Sequence, residues 1–288
     1  MVVAIGGGVE CMTRVPIGAT TEPGPGEPYG PRYTARFELI HQGACAEEIA
    51  RRFEVSREEM DAFALESHRR AAAAADEGRF DHEIVPVERR LLDPPQTRDG
   101  QGEAVDLVRT DEGIRRDTSL QKLASLPPAF TEGGTVTAGT SSQISDGAAA
   151  VLVMSEERAA SLGLRPRARF HTFAVAANDP QIMLTAPIPA TSMVLQKAKL
   201  TLDDMDVVEI NEAFASVVLA WQRQYDPDMA RVNPNGGAIA LGHPTGCSGA
   251  RLMATLLNEL ERTGGRYGLQ TMCEGGGQAN ATVIERLG

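Results

Sequence analysis

From Thr135 to the C-terminus the sequence alternates between short apolar runs and stretches with helical spacing. That alternation leaves few folds open to it. Ala148 to Met154 is a near-continuous apolar strand, and Ser155 caps a helix reaching Leu162. A helix is expected over Ala190 to Ala198, a strand over Val207 to Ile210 and a helix over Ala213 to Tyr225. Gly246 to Leu260 reads as a helix with Leu252, Leu256, Leu257 and Leu260 on one face. Gln270 to Cys273 and Thr282 to Ile284 close the chain as strands. Strands interleaved with helices in this way call for an α/β domain built on a mixed sheet.

The first half is less regular. Val2 to Ile5 reads as a buried strand ended by a tight turn at Gly6-Gly7-Gly8. Pro16 to Pro31 is loop, and Ala46 to Phe53 is helical. Ser56 and Glu59 form a capping box for a helix that runs to Ala75 and stops at Gly78. Ile84 to Val87 is a strand, and Leu92 to Arg116 turns polar and irregular around Pro94-Pro95.

At 288 residues the chain reaches the size at which single cores stop growing, so two or more lobes are expected. A net charge of −11 makes nucleic acid and anionic membranes poor partners. It also means that a polyanionic ligand needs a local basic cluster, for which Arg115, Arg116 and Lys122 are candidates, with solvated surface charge as the plainer alternative. Cys11, Cys45, Cys247 and Cys273 lack C-x-x-C spacing, which argues against a zinc site and fits reduced thiols in the cytoplasm. No apolar run is long enough to span a membrane.

Four segments carry chemistry. In Asn233 to Arg251, His243 is held between Gly242 and Pro244 just before a helix, with glycines that let a ligand approach the main chain. The stretch reads equally as a helix-packing turn with an incidental histidine. In Thr271 to Ala279 a strand ends in Cys273, and Gly275, Gly276 and Gly277 follow with N–H groups able to face an oxyanion; a buried cysteine before a bulge is the plain alternative. Asn211, at a strand-to-helix junction, serves as an N-cap if nothing else. Gly134 to Ala148 is a tight loop of small residues feeding a strand.

Together and in this order, these segments resemble the thiolase family. The resemblance rests on Gly242-His-Pro-x-Gly-x-Ser-Gly-Ala-Arg251, Asn211-Glu-Ala-Phe-Ala215 and the Cys273-x-Gly-Gly-Gly turn. It extends through Gly6-Gly7, His41 to Glu47, Ser56 to Glu59, Asp61 to Ala64, and Met183 to Pro189. It implies an α/β fold of two α/β/α layered half-domains with an inserted loop domain. Residues 1–13 and 145–166 would belong to the first half-domain, 14–144 to the loop domain and 167–288 to the second half-domain.

The resemblance also implies roles. His243 matches the base that takes a proton from a nucleophilic cysteine and then donates to an oxyanion, and Asn211 the residue that completes that hole through a water. Cys273 matches the acid/base at the substrate α-carbon, and the Gly275 N–H a second oxyanion site. Ala138, Ser142, Met183 and His41 match positions lining a pantetheine tunnel, and Arg115 one at the nucleotide end of coenzyme A. The implied activity is acyl transfer between acyl-CoA thioesters, as 3-ketoacyl-CoA thiolysis or acetyl-CoA condensation. Coenzyme A would be substrate or product, with no permanently bound cofactor and no metal. A cytoplasmic homodimer or homotetramer is expected.

The family's acyl-accepting cysteine precedes the Gly-Gly turn, where this sequence has only residues 1–5. The expectation is therefore a truncated first half-domain, with the nucleophile absent and the chain inactive alone. The rival from another class is a non-catalytic coenzyme A-binding or assembly module.

Overall fold

The computed structural model describes residues 3–19, 26, 29–38, 40–88 and 107–288. In its first half these form β1 (Val3–Cys11), α1 (Pro31–Thr34), α2 (Gln42–Arg52), α3 (Arg57–Asp76), β2 (Val87–Glu88), β3 (Leu107–Val108) and α4 (Leu120–Ala124). Then come β4 (Asp146–Met154), α5 (Glu156–Ser161), β5 (Ala168–Ala177), α6 (Pro187–Ala198) and β6 (Val207–Ile210). The chain closes with α7 (Ala215–Tyr225), α8 (Ala238–Leu241), α9 (Ser248–Thr263), β7 (Tyr267–Glu274) and β8 (Gln278–Arg286).

The structure is mixed α/β, as expected. β1 and β4 pair antiparallel, Val3 opposite Met154 and Cys11 opposite Asp146. A four-stranded sheet has the order β5-β8-β7-β6, with β6 and β7 parallel and the other pairs antiparallel. Helix α9 packs against both sheets, touching β1 and β4 on one side and β6 and β7 on the other. The turn that carries His243 meets both: a Cβ at Gly147 in β4 would touch Pro244, and Asn211, just after β6, lies 3.3 Å from His243.

The helix ends follow local chemistry. Ser56 and Glu59 form the expected capping box on α3, and Gly78 at φ 68° follows its end. Ser155 accepts from the Arg158 N–H at the start of α5. α3 buries a stripe of small residues, Ala64, Ser67, Ala71 and Ala74, so its backbone lies close to its neighbours. On α7, Trp221 is fully buried and donates from Nε1 to Thr191 Oγ1 of α6 at 3.0 Å, which satisfies the one polar group of a large core side chain.

Several expectations need correction. Gly6, Gly7 and Gly8 make no turn; they lie inside β1, opposite Val151, Ala150 and Ala149. Glycine is needed there for close approach: a Cβ at Gly7 would meet the Ala149 carbonyl oxygen at 2.6 Å, and one at Gly8 would collide with the Gly246 carbonyl. Nor is β1 buried on both faces, since Ile5 is 74% exposed and Val9 71%.

The strand expected at Ile84 to Val87 is confined to Val87–Glu88, paired with Leu107–Val108. Of the irregular stretch from Leu92, residues 92–106 lie outside the described residues. α2 begins at Gln42 rather than Ala46, because the His41 side chain caps it. α6 begins at Pro187, whose fixed φ suits a first helical position. β5 was not expected at all; its alternation of Phe170, Thr172 and Ala174 is interrupted by an irregularity between Phe170 and Thr172.

Candidate active site

The site is organised by the segment just after β6. Asn211 continues that strand and donates its backbone N–H to the Thr271 carbonyl at 3.1 Å. Its side chain thus stands at the C-terminal edge of the parallel pair, the usual place for ligands in open α/β sheets. Cys273 stands near the end of β7 on the same edge.

Asn211 is buried, and its Nδ2 lies 3.3 Å from His243 Nε2. The other ring nitrogen, Nδ1, lies 2.6 Å from Ser248 Oγ. The histidine is fixed from both sides, and its backbone N–H donates to the Gln143 carbonyl at 3.1 Å. Gly242 precedes it at φ 89°, and a Cβ there would collide with the Ser145 side chain. Burial, with a smaller push from the Arg251 guanidinium, lowers the His243 pKa to about 4. At neutral pH the imidazole is uncharged and able to accept a proton.

Behind it, Glu209 is fully buried, with Arg251 3.8 Å away. Burial raises the Glu209 pKa to about 8 against the pull of Arg251. Among the described residues neither carboxylate oxygen of Glu209 and neither terminal nitrogen of Arg251 has a hydrogen-bond partner.

Cys273 belongs to a different environment. It is 8% exposed and lies in the apolar cluster that also holds Ile182, Leu184, Ala213 and Phe214, with Met183 packed against it. Burial pushes its thiol up to about 12, so in the resting protein it is a neutral acid. Met183 sits at φ 20°, a sparsely populated region for a side-chain-bearing residue. Gly275, in the turn after β7, is exposed, and a Cβ there would meet nothing within 4 Å.

The segment after Asn211 ties further expected residues to the site. Ser142 donates its N–H to the Ala213 carbonyl at 3.0 Å. Phe214 meets Phe130 edge-on at 5.6 Å between ring centroids, and Phe130 in turn stacks on His41 at 5.8 Å. His41, Ser142 and Met183 are thereby gathered around the Asn211–Phe214 turn. Ala138 is exposed in a short 3-10 turn at Ala138–Thr140.

Arg115 is exposed beside α3, where its backbone N–H donates to His68 Nδ1 at 3.1 Å. The basic cluster is mostly neutralised: Arg116 pairs with Asp76 at 2.8 Å and Lys122 with Asp117 at 2.6 Å. Among the described residues the Arg115 guanidinium has no such partner within 4.0 Å, so it is the member of the three that can meet a phosphate. Phe130 was not among the expected site residues, and Ser248 stood in the Gly242 to Arg251 motif without a role of its own. The signal for Ser248 was its position in the first turn of the helix, five residues after His243.

Among the described residues no group of three or more His, Cys, Asp or Glu is placed to hold a metal ion, and no helix is long and apolar enough to cross a membrane. The arrangement is suited to moving protons between sulfur and imidazole and to offering N–H donors to a developing oxyanion.

Comparison with known proteins agrees. The profile "Thiolase, N-terminal domain" matches residues 1–157 and "Thiolase, C-terminal domain" residues 164–286. The chain is 50% identical over 295 residues to the steroid 3-ketoacyl-CoA thiolase FadA6 of Mycobacterium tuberculosis, covering 99% of this chain and 68% of that protein. It is also 50% identical to a 3-ketoacyl-CoA thiolase of Psychrobacter cryohalolentis, covering 85% of this chain and 61% of the relative. Human mitochondrial 3-ketoacyl-CoA thiolase in complex with CoA superposes with a TM-score of 0.84 at 39% identity, over 100% of this chain and 71% of that one. The chain thus spans between 61% and 71% of the length of these proteins. On matches that run from end to end and a shared tertiary structure, the chain belongs to the thiolase family.

Proposed function

We propose that the chain carries the proton-transfer and oxyanion-stabilising part of a thiolase centre, acting on acyl-CoA and 3-ketoacyl-CoA thioesters. The observation that carries this reading is a neutral histidine held between Asn211 and Ser248, at the same sheet edge as the buried thiol of Cys273. His243 takes the proton from an attacking thiol. The resulting N–H, with a water held by Asn211, faces the thioester oxygen as it gains charge. Cys273 exchanges the α-proton of the second acyl group, and the Gly275 N–H faces the tetrahedral oxyanion. Met183, Ser142, Ala138 and His41 line the path of the pantetheine arm, and Arg115 meets a phosphate of coenzyme A.

None of the four cysteines is assigned as the acyl-accepting nucleophile. Attack requires a thiolate, and burial raises the Cys45 thiol to about 11, the Cys273 thiol to about 12 and the Cys247 thiol above its ordinary value. Cys11, at the end of β1, donates its S–H to Asp146 Oδ2 at 3.3 Å. The division into residues 1–13 with 145–166, 14–144 and 167–288 belongs to the same reading, supported by the pairing of β1 with β4. So do a cytoplasmic setting and homo-oligomeric assembly, for which the family resemblance is the support.

The test is intact-mass spectrometry of the 288-residue chain, acid-quenched after mixing with acetoacetyl-CoA. The expected result is no stoichiometric acyl adduct and no thiolysis. A near-unit acetyl adduct on one cysteine, with turnover above background, overturns the assignment.

A further inference from the structure

The two ring nitrogens of His243 have one close side-chain neighbour each, and those neighbours are chemically unlike. Nε2 faces the Asn211 amide nitrogen at 3.3 Å, and Nδ1 faces the Ser248 hydroxyl at 2.6 Å. A hydroxyl carries a single proton. Ser248 donates it to the Pro244 carbonyl at 2.9 Å, the back-bond to residue i−4 that a serine makes in a helix. Its oxygen then presents only lone pairs to the ring, so the ring proton must lie on Nδ1.

The opposite end agrees, because the Asn211 N–H group can donate only to an unprotonated Nε2. Ser248 is 1% exposed, so its hydroxyl is withdrawn from bulk solvent.

We infer that Ser248 is a positioning residue that holds His243 in the Nδ1–H tautomer and so leaves the Nε2 lone pair as the base. The role rests on the proposed function, and it explains how one imidazole serves twice without turning. When Nε2 takes the proton of a thiol, the S–H bond breaks, the sulfur keeps the electron pair and a new N–H forms. Nδ1–H continues to donate to Ser248, whose oxygen shares the new positive charge. The fresh Nε2–H is then the donor that an oxyanion needs. Which ring nitrogen carries the proton is set by the bond the other one makes. Without the serine hydroxyl Nδ1–H loses its acceptor and only the longer Asn211 contact, at 3.3 Å, still opposes a proton on Nε2, where it blocks the base.

The test reads the tautomer without any turnover. The full chain is labelled with 15N-histidine, and long-range 1H–15N correlation spectra are recorded at neutral pH, with the His243 signals identified by their loss in His243→Gln. The wild-type ring should carry its proton on Nδ1. Ser248→Ala should lose that pattern in favour of Nε2–H or a mixture, and Ser248→Thr, which keeps the hydroxyl, should retain it. A wild-type ring protonated on Nε2, or an unchanged pattern in Ser248→Ala, overturns the inference. If Ser248→Ala fails to fold, the wild-type spectrum still decides. An Nδ1–H ring in a chain that binds neither acyl-CoA nor coenzyme A would sink the proposed function and leave this inference standing.

Discussion

Asn211 and His243 meet side chain to side chain at 3.3 Å although 32 residues separate them. The contact joins the end of a buried strand to the turn before α9, and an amide N–H aimed at Nε2 favours the neutral ring. Asn211→Ala should therefore raise the His243 pKa from about 4. A lost hydrogen bond of roughly 0.5–1.5 kcal/mol corresponds to about one pH unit or less. Titration of the 15N-labelled histidines reads it, and an unchanged or lower value would show that the contact does not act on the ring.

His68 gives a pH signature of its own. It is buried in α3, and burial together with Arg115 lowers its pKa from 6.5 to about 4. Because the folded value is depressed, its contribution to stability is present above about 6.5 and is lost as the pH falls toward 4. Relative to wild type, His68→Gln should thus gain stability as the pH drops through that window, by at most about 1.4 kcal/mol per pH unit. Urea denaturation of both proteins at several pH values measures the difference. Parallel curves would mean that His68 titrates alike when folded and unfolded.

With Arg116 and Lys122 tied to aspartates, Arg115 is the cation expected to carry phosphate recognition. A charge-assisted hydrogen bond is worth about 1.5–3 kcal/mol, so Arg115→Ala should weaken coenzyme A binding about tenfold or more. Arg116→Ala should change it far less. The Arg115 effect should shrink at high salt. Calorimetry giving equal affinities for Arg115→Ala and wild type would return Arg115 to ordinary surface charge.

The glycines after β7 should separate into structural and functional positions. Gly277 has φ 85°, and a Cβ there would meet the Asn178 carbonyl oxygen at 2.9 Å; Gly277→Ala should destabilise the fold by about 1–3 kcal/mol. Gly275 has open space around it, so Gly275→Ala should stay within about 0.5 kcal/mol of wild type and keep its N–H, while the added methyl group enters the space proposed for the thioester and weakens acyl-CoA binding. Thermal melts paired with a binding assay decide the matter. A large loss of stability in Gly275→Ala would make that glycine a structural one.

The α/β class, β6 and the capping box of α3 were legible because each depends on local pattern. Val207 to Ile210 is apolar at both ends and flanked by polar residues, and Ser56 with Glu59 satisfies its own helix end. β5 was not legible: its partner, β8, lies more than a hundred residues away, and its outer face leaves Phe173 and Val175 exposed, so no clean burial pattern marks it. The three glycines of β1 misled for a related reason. A Gly-rich run signals a turn when read locally, but here it signals the approach of another backbone, Gly246, from a distant segment.

The amino-acid pattern supplied the candidates, a histidine braced by glycine and proline, a cysteine ending a strand and an asparagine at a strand-to-helix junction, and the thiolase resemblance implied their chemistry. Tertiary structure alone decided how those groups are tuned. It set Asn211 and Ser248 on opposite sides of the imidazole, buried the Cys273 thiol among apolar side chains, and, among the described residues, paired Arg116 and Lys122 with aspartates but not Arg115. Residue type fixes which protons a group can hold. Burial and the donors brought up by other segments fix which protons it does hold, because hydrogen bonds and desolvation act over a few ångströms of space and take no account of distance along the chain.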